Sequence, residues 1–464
     1  MPDFSRLRAQ LDLCVARPID SPPLTMATTD DQQAKALKAQ ADALYEASED
    51  AQARPLLERY LALRANDAEA CYRLANVLKD AGELGRAERL YLDALALRPK
   101  HARGHNNLGV VMEMTGRVAD ARGCYETAVR LDPALLHARL NLGRMCEALG
   151  SLAEAAEHYR AAAQLGPGEL QPHAQLGRAM QMLGRPEEAA VSYRRVFELA
   201  PERLGSYDDL GRALVLTGHA AEAIEVYEQA IARGIDPEYF RHLVHAAGGE
   251  NSERPPEGYV RGLFDRFADR FERQLVDSLA YRVPATLAER VTSLSDGRSL
   301  AILDLGCGTG LCGQHFRMHA HRLVGVDLSP GMLQQAAAKG VYDELAEAEL
   351  TAYLKDTDEA AFDLVVATDV LIYLGDLTGL FSGVRKVLKS GGLFALSTES
   401  LDGAQSRFSL RQSGRYAHAS FYLRSLAAEF DFDELSFERA VIRTEGGKPM
   451  QGDLVVLRRR GGAQ

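Results

Sequence analysis

A regular spacing of prolines constrains this chain more than any other feature of its sequence. Pro99, Pro133, Pro167 and Pro201 follow one another at intervals of 34 residues. Proline lacks a backbone donor and clashes with the preceding turn, so it ends a helix. A helix breaker repeated at a constant interval predicts that the first half of the chain is a row of similar helical units.

Other positions recur with the prolines when each proline is placed at position 32 of a 34-residue unit. Position 20 is always alanine, position 24 is tyrosine in five consecutive units, and position 8 is alanine or glycine. These residues are Ala53, Ala87, Ala121, Ala155, Ala189 and Ala223; Tyr91, Tyr125, Tyr159, Tyr193 and Tyr227; and Ala41, Ala75, Gly109, Gly143, Gly177 and Gly211. Small residues allow two antiparallel helices to approach closely, and the ring fills the space to the next pair. One pair cannot bury its own apolar face, so the pairs must stack.

The pattern resembles the tetratricopeptide repeat over about residues 34–237. It departs from that family because position 4 is never Trp and position 11 is Leu, Met or Cys rather than Tyr. Ala65 replaces the proline of the first repeat, as expected for an end cap. We expect an all-α solenoid of six repeats and a capping helix over residues 34–248, a linker at 249–256, and a disordered tail at 1–33. A transit peptide is the alternative for the tail.

Arginine occupies position 9 in three successive repeats, as Arg144, Arg178 and Arg212, and Arg103 stands at position 2. In the repeat family, positions 2, 5, 9 and 12 line the inner groove, so the resemblance implies that these side chains face a bound protein or peptide. Guanidinium groups offer planar, bidentate donors to carboxylates. We hypothesise a ladder for an acidic peptide or a chain-end carboxylate; a solvated helix face is the alternative.

Composition excludes several classes of protein. A net charge of −11 argues against a general binder of nucleic-acid phosphates. No apolar run reaches the length of about 18 residues that a membrane span needs. Six cysteines in 464 residues, none in a CxxC pair, do not indicate a disulfide scaffold, so a reducing cytoplasm is the expected location.

After the linker, buried strands alternate with helices. "SLAILDLGCGTG" leads an apolar strand into a glycine turn, and "HRLVGVD", "FDLVVA" and "GGLFALSTES" are three further strands. Strands without polar alternation are covered on both faces. The alternation predicts an α/β Rossmann-like domain over residues 257–464, with its ligand beyond the carboxyl ends of the strands.

The glycine turn can be matched in two registers. Gly308, Gly310 and Gly313 fit a dinucleotide fingerprint, whereas Asp304, Gly306, Gly308 and Gly310 begin where the strand ends. The second register resembles the first motif of the class I S-adenosylmethionine-dependent methyltransferases. "FDLVVATDVLIYL" and "VRKVLKSGGLFALST" resemble later motifs of that family, and "ERAVIRTEGGKPMQGDLVVLRR" resembles the antiparallel hairpin that closes its seven-stranded sheet. A nicotinamide oxidoreductase, the alternative, lacks these later motifs.

The resemblance implies a set of contacts to S-adenosylmethionine. Asp304 orients the turn and the amino group, the glycines admit the methionyl part, and Asp327 binds the ribose hydroxyls. The other implied contacts are Cys307 in the turn, Leu328 and Met332 against the adenine, Glu349 (or Glu347) with Leu350 at the adenine edge, Asp369 and Val370 under the sulfonium, and Tyr259 and Phe267 on a covering helix. Simple core packing is the alternative for Phe264, Phe267 and Phe271, which have helical spacing, and for Val370 and Leu371.

Methyl transfer needs alignment of nucleophile, methyl group and sulfur in a site without water, and it needs a base only if the acceptor must lose a proton. Tyr373, Tyr416 and His418 are the candidate catalytic residues. No metal cluster is predicted, because the histidines are scattered and Cys307 and Cys312 lack a ligand set. The expected function is a methyltransferase whose repeats recruit a protein substrate or partner. The alternative is a repeat scaffold with a regulatory or inactive S-adenosylmethionine-binding domain.

Overall fold

The computed structural model describes residues 27–256, 258–265, 282–294, 299–403, 406–445 and 448–461. Its contacts divide the chain into two compact units, Met1–Met180 and Gln181–Gln464. The second unit therefore contains the last repeats together with the α/β domain.

The amino-terminal half consists of antiparallel helices joined by short turns. These helices are α1 (Ala27–Glu46), α2 (Asp50–Leu63), α3 (Ala68–Asp80), α4 (Leu84–Leu97), α5 (Ala102–Met114), α6 (Val118–Leu131), α7 (Leu136–Ala148), α8 (Leu152–Leu165), α9 (Leu170–Met182), α10 (Pro186–Leu199), α11 (Leu204–Leu216), α12 (Ala220–Ala232) and α13 (Pro237–Gly248). From α3 to α10 helices of 13 and 14 residues alternate, as the sequence period predicts. Each predicted proline lies just beyond the end of a second helix.

The small residue at position 8 and the ring at position 24 contact each other within one repeat. A Cβ atom added to Gly109 would lie 2.7 Å from Cε1 of Tyr125, and one added to Gly143 would lie 2.6 Å from Cε1 of Tyr159. Both distances are too short for a carbon–carbon contact. The tyrosine thus fills the space above the glycine of its own repeat, rather than only the gap to the next repeat.

The α/β domain is built from a sheet covered by helices. Its helices are residues 258–265, α14 (Val283–Leu294), α15 (Leu311–Phe316), α16 (Pro330–Lys339), α17 (Leu350–Asp356), α18 (Thr378–Val387) and α19 (Ser420–Glu429). Its strands are β1 (Leu300–Leu305), β2 (Ala320–Asp327), β3 (Glu344–Glu347), β4 (Phe362–Ala367), β5 (Leu388–Ser400), β6 (Phe408–Leu410), β7 (Tyr416–His418), β8 (Phe432–Glu445) and β9 (Lys448–Arg459).

Strands β3, β2, β1, β4 and β5 lie side by side in that order and run parallel. Strand β9 pairs antiparallel with β5, and β8 with β9, which gives the predicted closing hairpin. The short pair β6–β7 adds to the end of β5. Every residue of β1 is buried, as its uninterrupted apolar sequence requires. The carboxyl ends of β1, β2 and β4 consequently meet at one edge of the sheet.

Within the second unit, the capping helix α13 and the segment after it contact the β6–β7 hairpin. The His242 side chain hydrogen-bonds the carbonyl oxygen of Gly414 at 2.9 Å, and Arg212 Nη1 donates to the carbonyl of Ser413 at 3.4 Å. The amide of Asn251, in the predicted linker, bonds the backbone of β6 through both its nitrogen and its oxygen. The last repeat and the α/β domain thus share buried polar contacts.

Candidate active site

The glycine turn after β1 has a backbone that only glycine adopts without strain. Gly306, Gly308 and Gly310 have φ angles of 70°, 53° and 86°, in the left-handed region. The amides of Gly306 and Cys307 both donate hydrogen bonds to the carbonyl of Val326, which connects the turn to β2. A Cβ atom added to Gly306 would lie 2.7 Å from Cβ of Val370. The turn therefore brings backbone close to the end of β4.

Asp327 ends β2 and faces this turn. Its Oδ2 accepts a hydrogen bond from the Gly308 amide at 2.9 Å, and its Oδ1 accepts one from the Ser329 amide at 2.9 Å. Burial raises the pKa of the carboxyl although these amides favour its charged form. Asp327 thus connects the carboxyl end of β2 to the turn that follows β1.

Asp304 lies beneath the turn and is 1% exposed. Its Oδ2 accepts a hydrogen bond from the Tyr342 hydroxyl at 2.7 Å, whereas its Oδ1 has no hydrogen-bond partner among the described residues. Burial raises the pKa of this carboxyl to about 7, because the loss of hydration outweighs the help of the nearby Tyr342 and Cys312 side chains. Thr309 Oγ1, in the same turn, is a second buried polar atom that has no hydrogen-bond partner among the residues that the structure describes.

A cleft that is open to solvent lies above the turn. It is lined by Phe264, Pro284, Gly306, Cys307, Gly308, Thr309, Leu311, Cys312, Asp327, Thr368, Asp369, Val370 and Tyr373. Seven of the predicted site residues are in this set: Gly306, Cys307, Gly308, Asp327, Asp369, Val370 and Tyr373. The ring of Phe264 meets the ring of Tyr373 edge-on, with centroids 5.0 Å apart, so two aromatic side chains bound the cleft on one side.

Asp369, directly after β4, has a left-handed φ of 54°. Its amide donates to Ser397 Oγ at 3.0 Å, and its Oδ1 accepts a hydrogen bond at 2.9 Å from Arg443, which lies on β8. The same guanidinium contacts Glu399 on β5, and the Arg443 side chain is almost completely buried. Sequence reasoning missed Arg443 and Glu399 because the pairing is set by the sheet and not by any local motif.

Two of the three candidate catalytic residues lie outside this lining. Tyr416 is buried, and its hydroxyl hydrogen-bonds Ser252. His418 is also buried, and its Nε2 is hydrogen-bonded to the carbonyls of Leu374 and Gly375 at 2.9 and 3.1 Å. Burial lowers the pKa of His418 to about 4, so the ring is neutral near pH 7. These contacts position the loop that carries Tyr373.

The helix before the sheet places two predicted aromatic residues differently. Tyr259 stacks on Tyr239 of α13, with ring centroids 5.3 Å apart, and contacts His242. Phe264, one helical turn further, lines the cleft instead. Phe267 lies outside the described residues. Asp265 accepts a hydrogen bond from Ser329 Oγ at 2.5 Å, which holds this part of the helix next to β2.

The residues expected around an adenine ring lie beside the cleft rather than in its lining. Met332 is buried at the start of α16, and Leu350 is buried at the start of α17. Glu349 caps α17 by accepting a hydrogen bond from the Ala352 amide at 2.8 Å. Glu347, the alternative acid, is exposed and accepts from Arg261 at 3.0 Å. Leu328 is partly buried between β2 and α16.

The position-9 arginines of the repeats have different surroundings. Arg144 and Arg178 are each half-exposed and each bonds, through Nη2, a glutamate of the preceding repeat at 2.9 Å, Glu113 and Glu147 respectively. Arg212 instead contacts Asp208, the Tyr239 hydroxyl and the backbone near β7. Arg103 is exposed. The three arginines thus do not form one uniform ladder.

Residues 303–394 match the family described as a methyltransferase domain, and residues 72–135, 115–169 and 175–243 match the tetratricopeptide repeat. The chain is similar to methyltransferase-like protein 27 of Homo sapiens, with 35% identity over 29% of this chain and 56% of that protein. It is also similar to the malonyl-[acyl-carrier protein] O-methyltransferase of Salmonella typhimurium, with 31% identity over 24% of this chain and 44% of the relative. The chain therefore spans less than two thirds of each of these two relatives.

Two solved structures are similar over parts of the chain. The 1,6-didemethyltoxoflavin-N1-methyltransferase of Burkholderia thailandensis, solved with S-adenosylhomocysteine, has 18% identity and a TM-score of 0.36, covering 43% of this chain and 87% of that one. The tetratricopeptide repeat protein YrrB has 22% identity and a TM-score of 0.36, covering 39% and 93%.

In the described part of the chain, no helix combines the length and apolar character needed to cross a membrane. One family match lies in each half of the chain, and each agrees with the fold of the part that it matches. Residues 303–394 thus match a methyltransferase domain, and tetratricopeptide repeats precede it in the chain.

Proposed function

We propose that this protein is an S-adenosylmethionine-dependent methyltransferase whose repeats bind a protein or peptide that is, or that presents, the methyl acceptor. The buried carboxylate of Asp304 carries the proposal. Its Oδ1 has no partner among the described residues, although a buried acceptor without a partner is costly. A ligand that brings an ammonium group into the turn would satisfy this oxygen.

The residues present fit that cofactor. The unpartnered oxygens of Asp304 and Thr309 suit its amino and carboxylate ends, and left-handed glycines leave the turn free of Cβ atoms. Asp327, at the neighbouring strand end, has two carboxylate oxygens for the ribose hydroxyls. We assign Met332 and Leu350 to the adenine side because both are apolar and begin helices at this edge of the sheet.

When bound, S-adenosylmethionine supplies an electrophilic methyl group on a sulfonium. Phe264 and Tyr373 bound the cleft with aromatic surface, which excludes water and favours a cation. Burial raises the pKa of Tyr373, so its hydroxyl stays protonated near pH 7 and can donate a hydrogen bond to an acceptor. The hydrogen bond between Arg443 and Asp369 fixes the end of β4, next to the cleft. The protein therefore acts by alignment and by exclusion of water.

Calorimetric titration with S-adenosylmethionine, S-adenosylhomocysteine and NADH tests the cofactor assignment. Micromolar binding of the first two, weakened at least tenfold by Asp327→Asn and unchanged by Asp433→Asn, would support it. Asp433 is a matched control because it is an exposed carboxylate on β8. Binding of NADH alone would overturn the proposal, and binding of none of the three would favour the scaffold alternative.

Transfer of a labelled methyl group then identifies the acceptor. Acyl groups carried on acyl carrier protein are the first substrates to test, because a relative is named for a malonyl group in that form. Peptides that bind the repeats are the second group. Label that appears with wild type and not with Asp327→Asn would establish the activity.

We further propose that Arg144 and Arg178 hold an acidic partner, with Arg103 nearby. Each pairs with one glutamate through Nη2, which fixes the guanidinium while Nη1 and Nε make no hydrogen bond among the described residues. Arg212 is excluded from this role because its contacts are already made within the fold.

An acidic peptide and a basic peptide of equal length test the partner site. The double variant Arg144→Glu/Arg178→Glu should lose binding of the acidic peptide. Arg130→Glu should keep it, because Arg130 is an exposed arginine on α6, the second helix of its repeat. Equal binding by wild type and the double variant would contradict the assignment.

A further inference from the structure

The fourth repeat departs from the others at two positions that contact each other. Position 11 is Leu or Met in the other five repeats, and position 23 is Leu, Cys, Ser or Val. The fourth repeat has Cys146 at position 11 and His158 at position 23. Neither change is needed for helix packing, because Leu, Met and Val fill these places elsewhere. Two coincident departures toward metal-binding side chains point to a separate role.

These two residues meet a third possible ligand inside the helical hairpin of α7 and α8. Cys146 lies near the end of α7 and is fully buried, while Glu154 and His158 lie one turn apart on α8. The Cys146 sulfur, one oxygen of Glu154 and one ring nitrogen of His158 all lie within 4.8 Å of one another. Glu154 is exposed, so the cluster is open to solvent on one side.

The charges around the cluster are compatible with a cation. Arg122 donates to both oxygens of Glu154 and also to Glu126, so this arginine is balanced by two carboxylates. A carboxylate has lone pairs for a metal in addition to the arginine.

We propose that Cys146, Glu154 and His158 bind a zinc ion in the fourth repeat. One thiolate, one imidazole and one carboxylate are ligands that zinc prefers, and solvent completes a tetrahedral set. The three ligand atoms would close to separations of about 3.5 Å around the metal. Binding breaks the S–H bond of Cys146, forms a Zn–S bond and releases one proton to water. This site is independent of the proposed cofactor cleft.

Metal titration of the full chain tests the proposal. After removal of metals with a chelator, the protein should bind one zinc ion in competition with a chromophoric chelator. Cobalt(II) in place of zinc should give a thiolate-to-metal charge-transfer band and release one proton per ion. Cys146→Leu and His158→Val should each abolish the band and weaken zinc binding at least about 100-fold, more than the loss of an outer contact.

Matched controls distinguish this site from adventitious binding. Both substitutions introduce residues that other repeats carry at the same positions, so helix content measured by circular dichroism should be unchanged, and the two variants are independent tests. Cys124→Ser alters a buried cysteine of the preceding repeat and should leave zinc binding intact. Absence of stoichiometric zinc, a cobalt spectrum without the thiolate band, or binding unaffected by both variants would overturn the proposal.

Discussion

Replacing Asp304 by asparagine should make the α/β domain more stable at neutral pH. The wild-type carboxyl has a pKa of about 7 in the folded chain against an ordinary value of 3.8. Its contribution to stability is fully present below pH 4 and is lost as the pH rises through 7. At about 1.4 kcal/mol per pH unit, this interval corresponds to about 4 kcal/mol. Asparagine keeps an oxygen for the Tyr342 hydroxyl and does not titrate.

Hydrogen exchange of the β1 amides, measured by mass spectrometry and corrected for intrinsic rates, is a suitable assay. Strand β1 pairs with β2 and β4, so its amides exchange only when this part of the sheet opens. The free energy of opening in wild type should fall between pH 5 and 8 relative to Asp304→Asn. Asp209, whose pKa is also raised, is present in both proteins and cancels in the comparison.

Asp363→Asn is a control of opposite sign. The amide of Ala301 and the ammonium of Lys389 hold the pKa of Asp363 below its ordinary value despite partial burial. Its contribution to stability is present at neutral pH and is lost on acidification, so the variant should be the less stable protein at pH 8. Identical pH dependence of opening in wild type and Asp304→Asn would refute the reasoning, because Asp304 would then be ionised throughout.

Two further sets of variants test the geometry of the site. Gly306→Ala should lose about 2–5 kcal/mol of stability, because its new methyl group overlaps a neighbouring valine and its backbone is strained in the left-handed region. Gly308→Ala should lose only about 1–2 kcal/mol, from backbone strain alone. Hydrogen exchange of the β1 amides compares the two variants, and equal losses would contradict the packing. Arg443→Met should cost about 3–5 kcal/mol, because it removes the buried guanidinium that hydrogen-bonds the carboxylates of Asp369 and Glu399. Thermal unfolding measures this loss, and adding Glu399→Gln should restore part of it if the buried charge is the cause.

The repeats were predictable from sequence because each unit imposes the same local packing. The tyrosine at position 24 needs a small residue at position 8, and Gly143 with Tyr159 shows the reason in a single contact. The glycine turn was equally readable, since Gly306 and Gly308 require left-handed backbone. Both signals lie within one repeat or one turn.

Contacts between distant segments could not be predicted in the same way. The resemblance implied that Tyr259 lies over the cofactor, yet its ring stacks on Tyr239 of α13, a contact that no sequence motif predicts. Arg443 reaches Asp369 only because β8 and β9 fold back along β5. The cluster of Cys146 and His158 likewise depends on which faces of two helices meet.

The contacts of the last repeat with the β6–β7 hairpin determine where a stable fragment of this protein can begin. The sequence suggests excising the catalytic part after the linker at residue 256, but such a fragment would lose the His242 side chain that satisfies the carbonyl of Gly414, and the ring of Tyr239 that covers Tyr259. A fragment beginning at Gln181 keeps both. We therefore expect residues Gln181–Gln464 to fold as one unit, and a fragment that begins after residue 256 to be less stable.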